Sequence, residues 1–237
     1  MKFQTPLIKG TLIKRYKRFM ADVELSDGSV VIAHCANSGS MLSVNEPGAE
    51  VWISPASNPD RKLKFTWELI RIGETLVGIN TALPNKMVSH AIEDGTISEL
   101  SGYATLRNEV KYGKNSRIDI LLEDDKKPKC YVEVKNVTLR RDLTKGAPAE
   151  FPDSVTSRGT KHLAELSDMV AEGHRAVMVY LVQREDADSF IVARDIDPVY
   201  GEALDAAKKA GVEALCYACT LSPEEIKVVR PIKIIAD

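Results

Sequence analysis

Asp119, Glu133 and Lys135 lie on two apolar segments that flank a polar turn, and together they could bind a metal and handle a phosphate. Residues 116–122 read SRIDILL, residues 129–135 read KCYVEVK, and the stretch between them, 123–128, has turn chemistry. A hairpin centred near Lys126 sets a register in which Asp119 stands opposite Glu133. Cross-strand neighbours sit roughly 5 Å apart at Cβ, where like charges destabilise a sheet, so folding alone gives no reason for the pair. A hard divalent cation does, because Mg2+ or Mn2+ takes carboxylate, water and phosphate oxygens. Strand alternation puts Lys135 on the face of Glu133, with Val132 and Val134 on the other, while Ile118, Ile120 and Leu122 oppose Asp119. The Lys135 ammonium is then placed to orient a metal-bound water or to offset charge on a phosphoryl transition state. The alternative is a solvated hairpin face on which Lys135 neutralises both acids. Glu109, on the segment before Asp119, is either a further carboxylate for the metal or an ordinary surface acid.

These side chains need a sheet and helices to hold them. Over residues 84–237 the pattern predicts strands at 103–110, 117–123, 129–136, 176–183, 190–193, 213–220 and 227–235, and helices at 86–94, 158–172 and 198–210. That alternation makes an α/β domain with a mixed sheet. Asp197, Pro198 and Gly211 supply the N-cap, first turn and stop of the last helix. On 158–172, Leu163, Leu166 and Val170 are spaced to pack on the sheet, whereas Arg158, Lys161, His162 and Glu165 form another, mostly cationic face. Arg158 and Lys161 lie near the positive end of that helix, where a DNA phosphate would sit; a solvated Lys161–Glu165 pair is the competing reading. Residues 1–83 differ: short strands at 21–25, 30–33 and 63–72 are separated by the turns Ser26-Asp27-Gly28-Ser29 and Asn58-Pro59-Asp60, without helical periodicity. A small closed barrel of the OB type follows.

At this point the residues carry a family resemblance. Asp119 and the Glu133-Val134-Lys135 run resemble the PD-(D/E)xK signature of metal-dependent nucleases, with Ile118 in place of its proline. Longer matches are Asn37-Ser38-Gly39-Ser40-Met41, Asn80-Thr81-Ala82-Leu83-Pro84-Asn85, Ser116-Arg117-Ile118-Asp119, Tyr131-Val132-Glu133-Val134-Lys135, Phe151-Pro152-Asp153 and Arg158-Gly159-Thr160-Lys161-His162-Leu163. Together, from about residue 7 to 235, they resemble the sugar fermentation stimulation protein family. That resemblance implies an OB-like N-terminal domain, a nuclease-like C-terminal domain, DNA binding and a role in regulating sugar (maltose) metabolism. A catalytic activity is not part of what it supplies.

Charge distribution says where nucleic acid would bind. The chain has 32 basic and 34 acidic side chains, so it has no global cationic field, and a nucleic-acid partner needs a local patch. Lys14, Arg15, Lys17 and Arg18 belong to an acid-free start that also holds Lys2 and Lys9. Arg61, Lys62 and Lys64 form a second cluster, flanked by Phe65 and Trp67 in the manner of single-strand sites. Solvated loop and strand-edge cations are the plain alternative.

Other chemistries find no support. There is no G-x-S-x-G elbow and no P-loop. His34 with Cys35, and Cys216 with Cys219, point to opposite sides of their strands and read as core rather than metal ligands. No apolar run reaches the length of a membrane span, the start lacks the apolar core of a secretory signal, and four scattered cysteines suit a reducing compartment. The expectation is a cytoplasmic DNA-binding protein with a metal pocket that cleaves phosphodiesters or merely contacts DNA. An RNA-directed nuclease is a third possibility.

Overall fold

The structure, a computed structural model, describes residues 1–58, 60–113 and 116–235. Its first part is built from β1 (Ile8–Tyr16), β2 (Met20–Leu25), β3 (Val30–His34), β4 (Glu50–Pro55), β5 (Phe65–Ile72) and β6 (Thr75–Gly78). Antiparallel pairs join β3-β2-β1-β4-β5-β6, and a short parallel pairing of Ala33 and His34 with Phe65 and Thr66 closes β1, β2, β3, β5 and β4 into a five-stranded ring. The expected turn is present: the Asp27 carboxylate accepts from the Ser29 N–H and hydroxyl, with Gly28 at φ 80°. Pro59, in the second expected turn, lies outside the described residues. Leu12, Ala21, Val23, Val51, Ile53, Trp67 and Ile70 fill the barrel. A methyl at Gly10 would lie 2.5 Å from the Val23 side chain and 2.7 Å from the Glu24 carbonyl, so only glycine lets β1 and β2 approach this closely. β5 is buried without alternation, because Ile70 faces the barrel interior while Leu69 joins the core of the second part.

That second part begins with α1 (Pro84–Glu93), followed by β7 (Thr105–Tyr112), β8 (Ser116–Asp124), β9 (Lys127–Val137), β10 (Ala149–Phe151), α2 (Ser157–Ala171), β11 (Arg175–Val182), β12 (Ser189–Val192), α3 (Pro198–Ala210), β13 (Glu213–Leu221), β14 (Ile226–Pro231) and β15 (Lys233–Ile234). The main sheet runs β14-β13-β11-β9-β8-β7, parallel across β13, β11 and β9 and antiparallel elsewhere. A small parallel sheet, β10-β12-β15, lies beside it. Met87, Val88 and Ile92 of α1 cover one face of the main sheet, on Ile120, Val132 and Val179; Leu163 and Leu166 of α2 and Leu204 of α3 cover the other, on Leu121, Met178 and Tyr180. The single strand expected at 227–235 is two: after Pro231 the chain turns, Ile232 N–H binds the Cys216 carbonyl, and Lys233 and Ile234 join β12 instead. Cys216 and Cys219 lie in opposite cores, and all four cysteines are buried thiols. Among the described residues no helix is long and apolar enough to cross a membrane.

Helix capping fixes where α2 lies. The Asp197 side chain caps α3 by accepting from Tyr200 N–H at 3.0 Å, and its other oxygen accepts from Thr156 N–H at 2.7 Å. Thr156 in turn caps α2 through Gly159 N–H. One buried carboxylate thus ties the starts of both helices together.

Candidate metal centre and nucleic-acid interface

β8 and β9 pair as Leu122↔Cys130, Leu121↔Tyr131 and Ile120↔Val132, the register read from the sequence. A shift at Glu123 and a tight turn between Asp124 and Lys127 replace the longer turn expected at 123–128. Beyond Ile120 and Val132 the paired rungs stop. The Asp119 carboxylate takes over, accepting the Val134 N–H at 2.8 Å, so it fills the mouth of the fork between the strands. Its other oxygen accepts from Asn85 Nδ2 at 2.8 Å, and the same amide reaches Glu109 Oε1 at 3.1 Å. Asn85, at the start of α1, thus holds Glu109 beside Asp119. Glu109 has φ 55° inside β7, a left-handed conformation that costs a non-glycine residue energy and tends to occur at functional sites.

Glu133 is 2% exposed. Its Oε1 accepts from Lys135 Nζ at 2.7 Å and from His162 Nδ1, while Oε2 is buried without a partner. His162 Nε2 accepts from Arg158 Nε at 3.4 Å, which assigns the imidazole proton to Nδ1, facing Glu133. Burial works to raise the Glu133 pKa, but the His162 hydrogen bond and the Lys135 charge outweigh it and hold the group below its ordinary value. Asp119 goes the other way: burial, then the neighbouring Glu133 charge, push it up to about 6.

The centre therefore contains Asp119, Glu133 and Lys135 as read from the sequence, plus Asn85 and His162, which that reading did not place there. The helical spacing puts His162 and Glu165 on one mostly cationic face with Arg158 and Lys161, either holding a DNA phosphate or solvated. Instead His162 is 4% and Glu165 7% exposed, and both turn inward. The reason is that α2 packs on β11 and β9 as well as on α3, and Glu165 reaches Gly113 just after β7, so more than its leucine stripe is covered. Lys161 stays exposed, donating to Ser116 Oγ at 3.1 Å and standing 3.5 Å from Glu165, so the competing Lys161–Glu165 ion pair forms.

The residues fit a hard cation. Asp119 and Glu133 offer two carboxylates, and the orphaned Glu133 Oε2 is an acceptor that a cation would satisfy. Among the described residues no three His, Cys, Asp or Glu side chains form a ready-made cage, so water or phosphate would complete the shell.

The basic residues of the barrel divide into two kinds. Arg15 is a staple: Nη2 donates to the Asn37 and Gly39 carbonyls at 3.0 Å each, and Nε to the Arg18 carbonyl at 3.1 Å, while Arg18 donates to Ser38 O at 2.9 Å. Lys17 and Arg18 form the β1–β2 turn with φ 48° and 64°. Lys14 lies 3.6 Å from Asp22 and over the Tyr16 ring. Arg61 donates to Thr66 Oγ at 2.8 Å and, with Lys62, His34 and Asn80, lines an open cavity of about 540 Å3. Lys64 approaches β5 and its carbonyl accepts from Ala56 N–H. Trp67 is no stacking platform: it is fully buried and its indole N–H binds Leu69 O, because the shift in the β4–β5 register, with Glu68 unpaired between Trp67 and Leu69, breaks the alternation and turns it into the barrel.

Comparison with known proteins matches residues 13–79 to the "SfsA N-terminal OB domain" and residues 82–225 to the "Sugar fermentation stimulation protein RE domain". A "Sugar fermentation stimulation protein homolog" of Paramagnetospirillum magneticum is 60% identical over 98% of this chain and 97% of its own length. One of Rhodospirillum rubrum is 58% identical over the full length of both chains. Among solved structures, Pyrococcus furiosus SfsA, described as in complex with Ca2+, superposes with a TM-score of 0.89 at 26% identity, covering 100% of this chain and 98% of that one.

Proposed function

The chain belongs to the sugar fermentation stimulation protein family, and from that premise we propose that it binds DNA and hydrolyses phosphodiesters with a divalent cation held by Asp119 and Glu133. The observation that carries this reading is the buried, partnerless Glu133 Oε2 beside a second carboxylate in a strand fork with a lysine alongside. A relative of the same fold is described in complex with Ca2+, a cation of the same hard class. Bound Mg2+ or Mn2+ would polarise a phosphate oxygen and acidify a water. The chain's own groups do the rest. His162 holds Glu133 in one orientation, Lys135 offsets charge that develops on the phosphoryl group, and Arg158, which reaches His162, and the exposed Lys161 are the cations of α2 offered to a neighbouring phosphate. Glu109, tied to Asp119 through Asn85, is a further acceptor at the rim.

One observation favours a binding-only regulator instead. Asp119 already has two hydrogen-bond donors and Glu133 Oε1 has two, so the fork is stable as a purely structural device. Binding alone would suffice for a regulator of sugar metabolism. Thermal melts with Mg2+ or Mn2+ and nicking of supercoiled or single-stranded DNA separate the two. Mn2+ should raise the wild-type midpoint but not that of Glu133→Gln. Lys135→Ala should lower cleavage by roughly two or more orders of magnitude, while DNA affinity stays within a few-fold. A metal-induced rise without cleavage of any DNA or RNA leaves the regulator; no rise removes the metal centre altogether.

A further inference from the structure

The bulge that turns Trp67 into the barrel also re-aims its neighbour. Trp52 pairs with Leu69 and Ile53 with Trp67, and Glu68, left between them, lines a cavity of about 430 Å3 where the barrel, the start of α1 and residues 1–5 meet. Glu68 is 6% exposed, yet among the described residues no cation is ion-paired with it. Its oxygens accept from Ser54 Oγ at 2.6 Å and from Asn80 Nδ2 at 2.9 Å, one donor each. A carboxylate oxygen has room for two donors, so both retain capacity. Burial raises the Glu68 pKa, and these two bonds and the Arg61 charge oppose it. An apolar side chain would fill the same place without the cost of taking a carboxylate out of water, so folding alone gives no reason for an acid here.

The rest of the lining supplies the opposite sign. Lys2, Arg61 and Lys86 line the same cavity; Arg61 donates to Thr66 Oγ, and none of the three is ion-paired among the described residues. Three cations around one carboxylate leave two positive charges, which a phosphate monoester dianion balances. A carboxylate or an internal phosphodiester brings only one negative charge. Bare phosphate would satisfy the cations but leave Glu68 facing another acceptor. A ligand that also carries hydroxyl groups satisfies both, since a hydroxyl donates to the carboxylate as a ribose hydroxyl does to the acidic residue of dinucleotide sites. Phe3, held by its N–H on the Glu224 carbonyl, adds an apolar wall with Pro55 and Leu83, against which a sugar ring can lie. The volume falls within the range of small-molecule sites.

We propose that this cavity binds the phosphate monoester of a sugar, with the phosphate at Lys2, Arg61 and Lys86 and a sugar hydroxyl at Glu68. Two sources present that chemistry, a free sugar phosphate and the 5′-phosphorylated end of a nucleic-acid strand. The site shares no residue with the fork of Asp119 and Glu133 and needs no metal.

Isothermal titration calorimetry of the full chain in EDTA, with ribose 5-phosphate, inorganic phosphate and ribose as probes, tests it. Ribose 5-phosphate should bind roughly tenfold more tightly than either half alone, the scale of one hydrogen bond to a charged group. Glu68→Gln keeps the shape but loses the charge, and should erase the preference over inorganic phosphate. The double variant Lys2→Ala, Lys86→Ala changes two exposed residues, so its melting midpoint should hold, and it should weaken both phosphates roughly tenfold or more. Fluorescence anisotropy of an oligo-dT strand with and without a 5′-phosphate, also in EDTA, assigns the source. Tighter binding of the phosphorylated strand, lost in the double variant, marks a strand end; equal binding of the two strands beside a bound ribose 5-phosphate marks a free sugar phosphate. The proposal falls if neither measurement shows a preference for the ester, or if the preference survives in the double variant. The metal centre and its cleavage test use none of these residues and are unaffected by either result.

Discussion

Asp119 and Glu133 are two carboxylates in one fork whose surroundings pull them apart. Glu133 has His162 and Lys135 and stays ionised below its ordinary range; Asp119 has burial and the Glu133 charge against it and titrates near 6. The sign of the consequence follows from linkage. A carboxyl whose folded pKa is raised binds its proton more readily when folded, so between its ordinary 3.8 and about 6 the native state holds more protons, and stability falls as pH rises through that window. Above it the charged form carries a penalty on the order of 2 kcal/mol, after allowance for the solvent that reaches a half-buried group. Asp119→Asn removes the charge, and Asn85 can turn its amide over to suit only by giving up its bond to the exposed Glu109. In metal-free buffer at pH 7 the variant should therefore melt several degrees above wild type, and the difference should vanish near pH 4. A variant less stable than wild type at pH 7 would mean that the hydrogen bonds to Asn85 and Val134 outweigh the charge. Added Mn2+ should reverse the order at pH 7, since only wild type keeps the ligand.

At the scale of elements, the site depends on α2 lying against the strand fork, and Asp197 is what ties its start to α3. Replacing a buried cap that satisfies N–H groups on two helices costs more than a single surface cap. Asp197→Ala should lower stability by about 2–3 kcal/mol, measured by urea denaturation. A loss under about 1 kcal/mol would show that packing of Leu163 and Leu166 alone positions the helix. The cap of α3 was legible in the sequence, because Asp197, Pro198 and Gly211 are local signals read within one turn of the helix. So was the β8–β9 register from Ile120 to Leu122, which period-two alternation sets, although the turn itself is tighter than the one expected. The second bond of Asp197, to Thr156, was not legible, nor was His162 as the partner of Glu133: both join residues distant in the chain and depend on how α2 settles on the sheet. Nothing within 158–172 distinguishes a polar residue that faces water from one that faces a carboxylate. β4 and the three-residue β10 carried too little pattern to be singled out, although β4 supplies Val51 and Ile53 to the barrel core.

At the scale of the molecule, barrel and mixed sheet share a core. Trp52, Leu69 and Leu76 of the barrel pack in the same cluster as Met87 of α1 and Val132 of β9, and Gly78 N–H binds the Gln183 carbonyl across the junction. A strand bound on the barrel would therefore be held in a fixed relation to the fork. With a net charge of −2, any such binding has to come from local cations rather than from the field of the whole chain. The structure says which of these cations can be removed cleanly. Arg15 and Arg18 hold the 37–40 loop through its carbonyls, so substituting them would disturb folding as well as binding. Lys14, Lys17 and Lys62 make no such loop contacts, and the triple substitution to alanine should leave the melting midpoint within about two degrees, as surface changes usually do. If these lysines neutralise phosphates, the logarithm of affinity falls linearly with the logarithm of salt, and the triple variant should bind every sequence more weakly with a slope smaller by about one unit per lysine. Fluorescence anisotropy across roughly 50 to 200 mM salt measures both quantities at once. An unchanged slope in a folded triple variant would place the phosphates elsewhere, with Arg158 and Lys161 at the start of α2 as the next cations to replace.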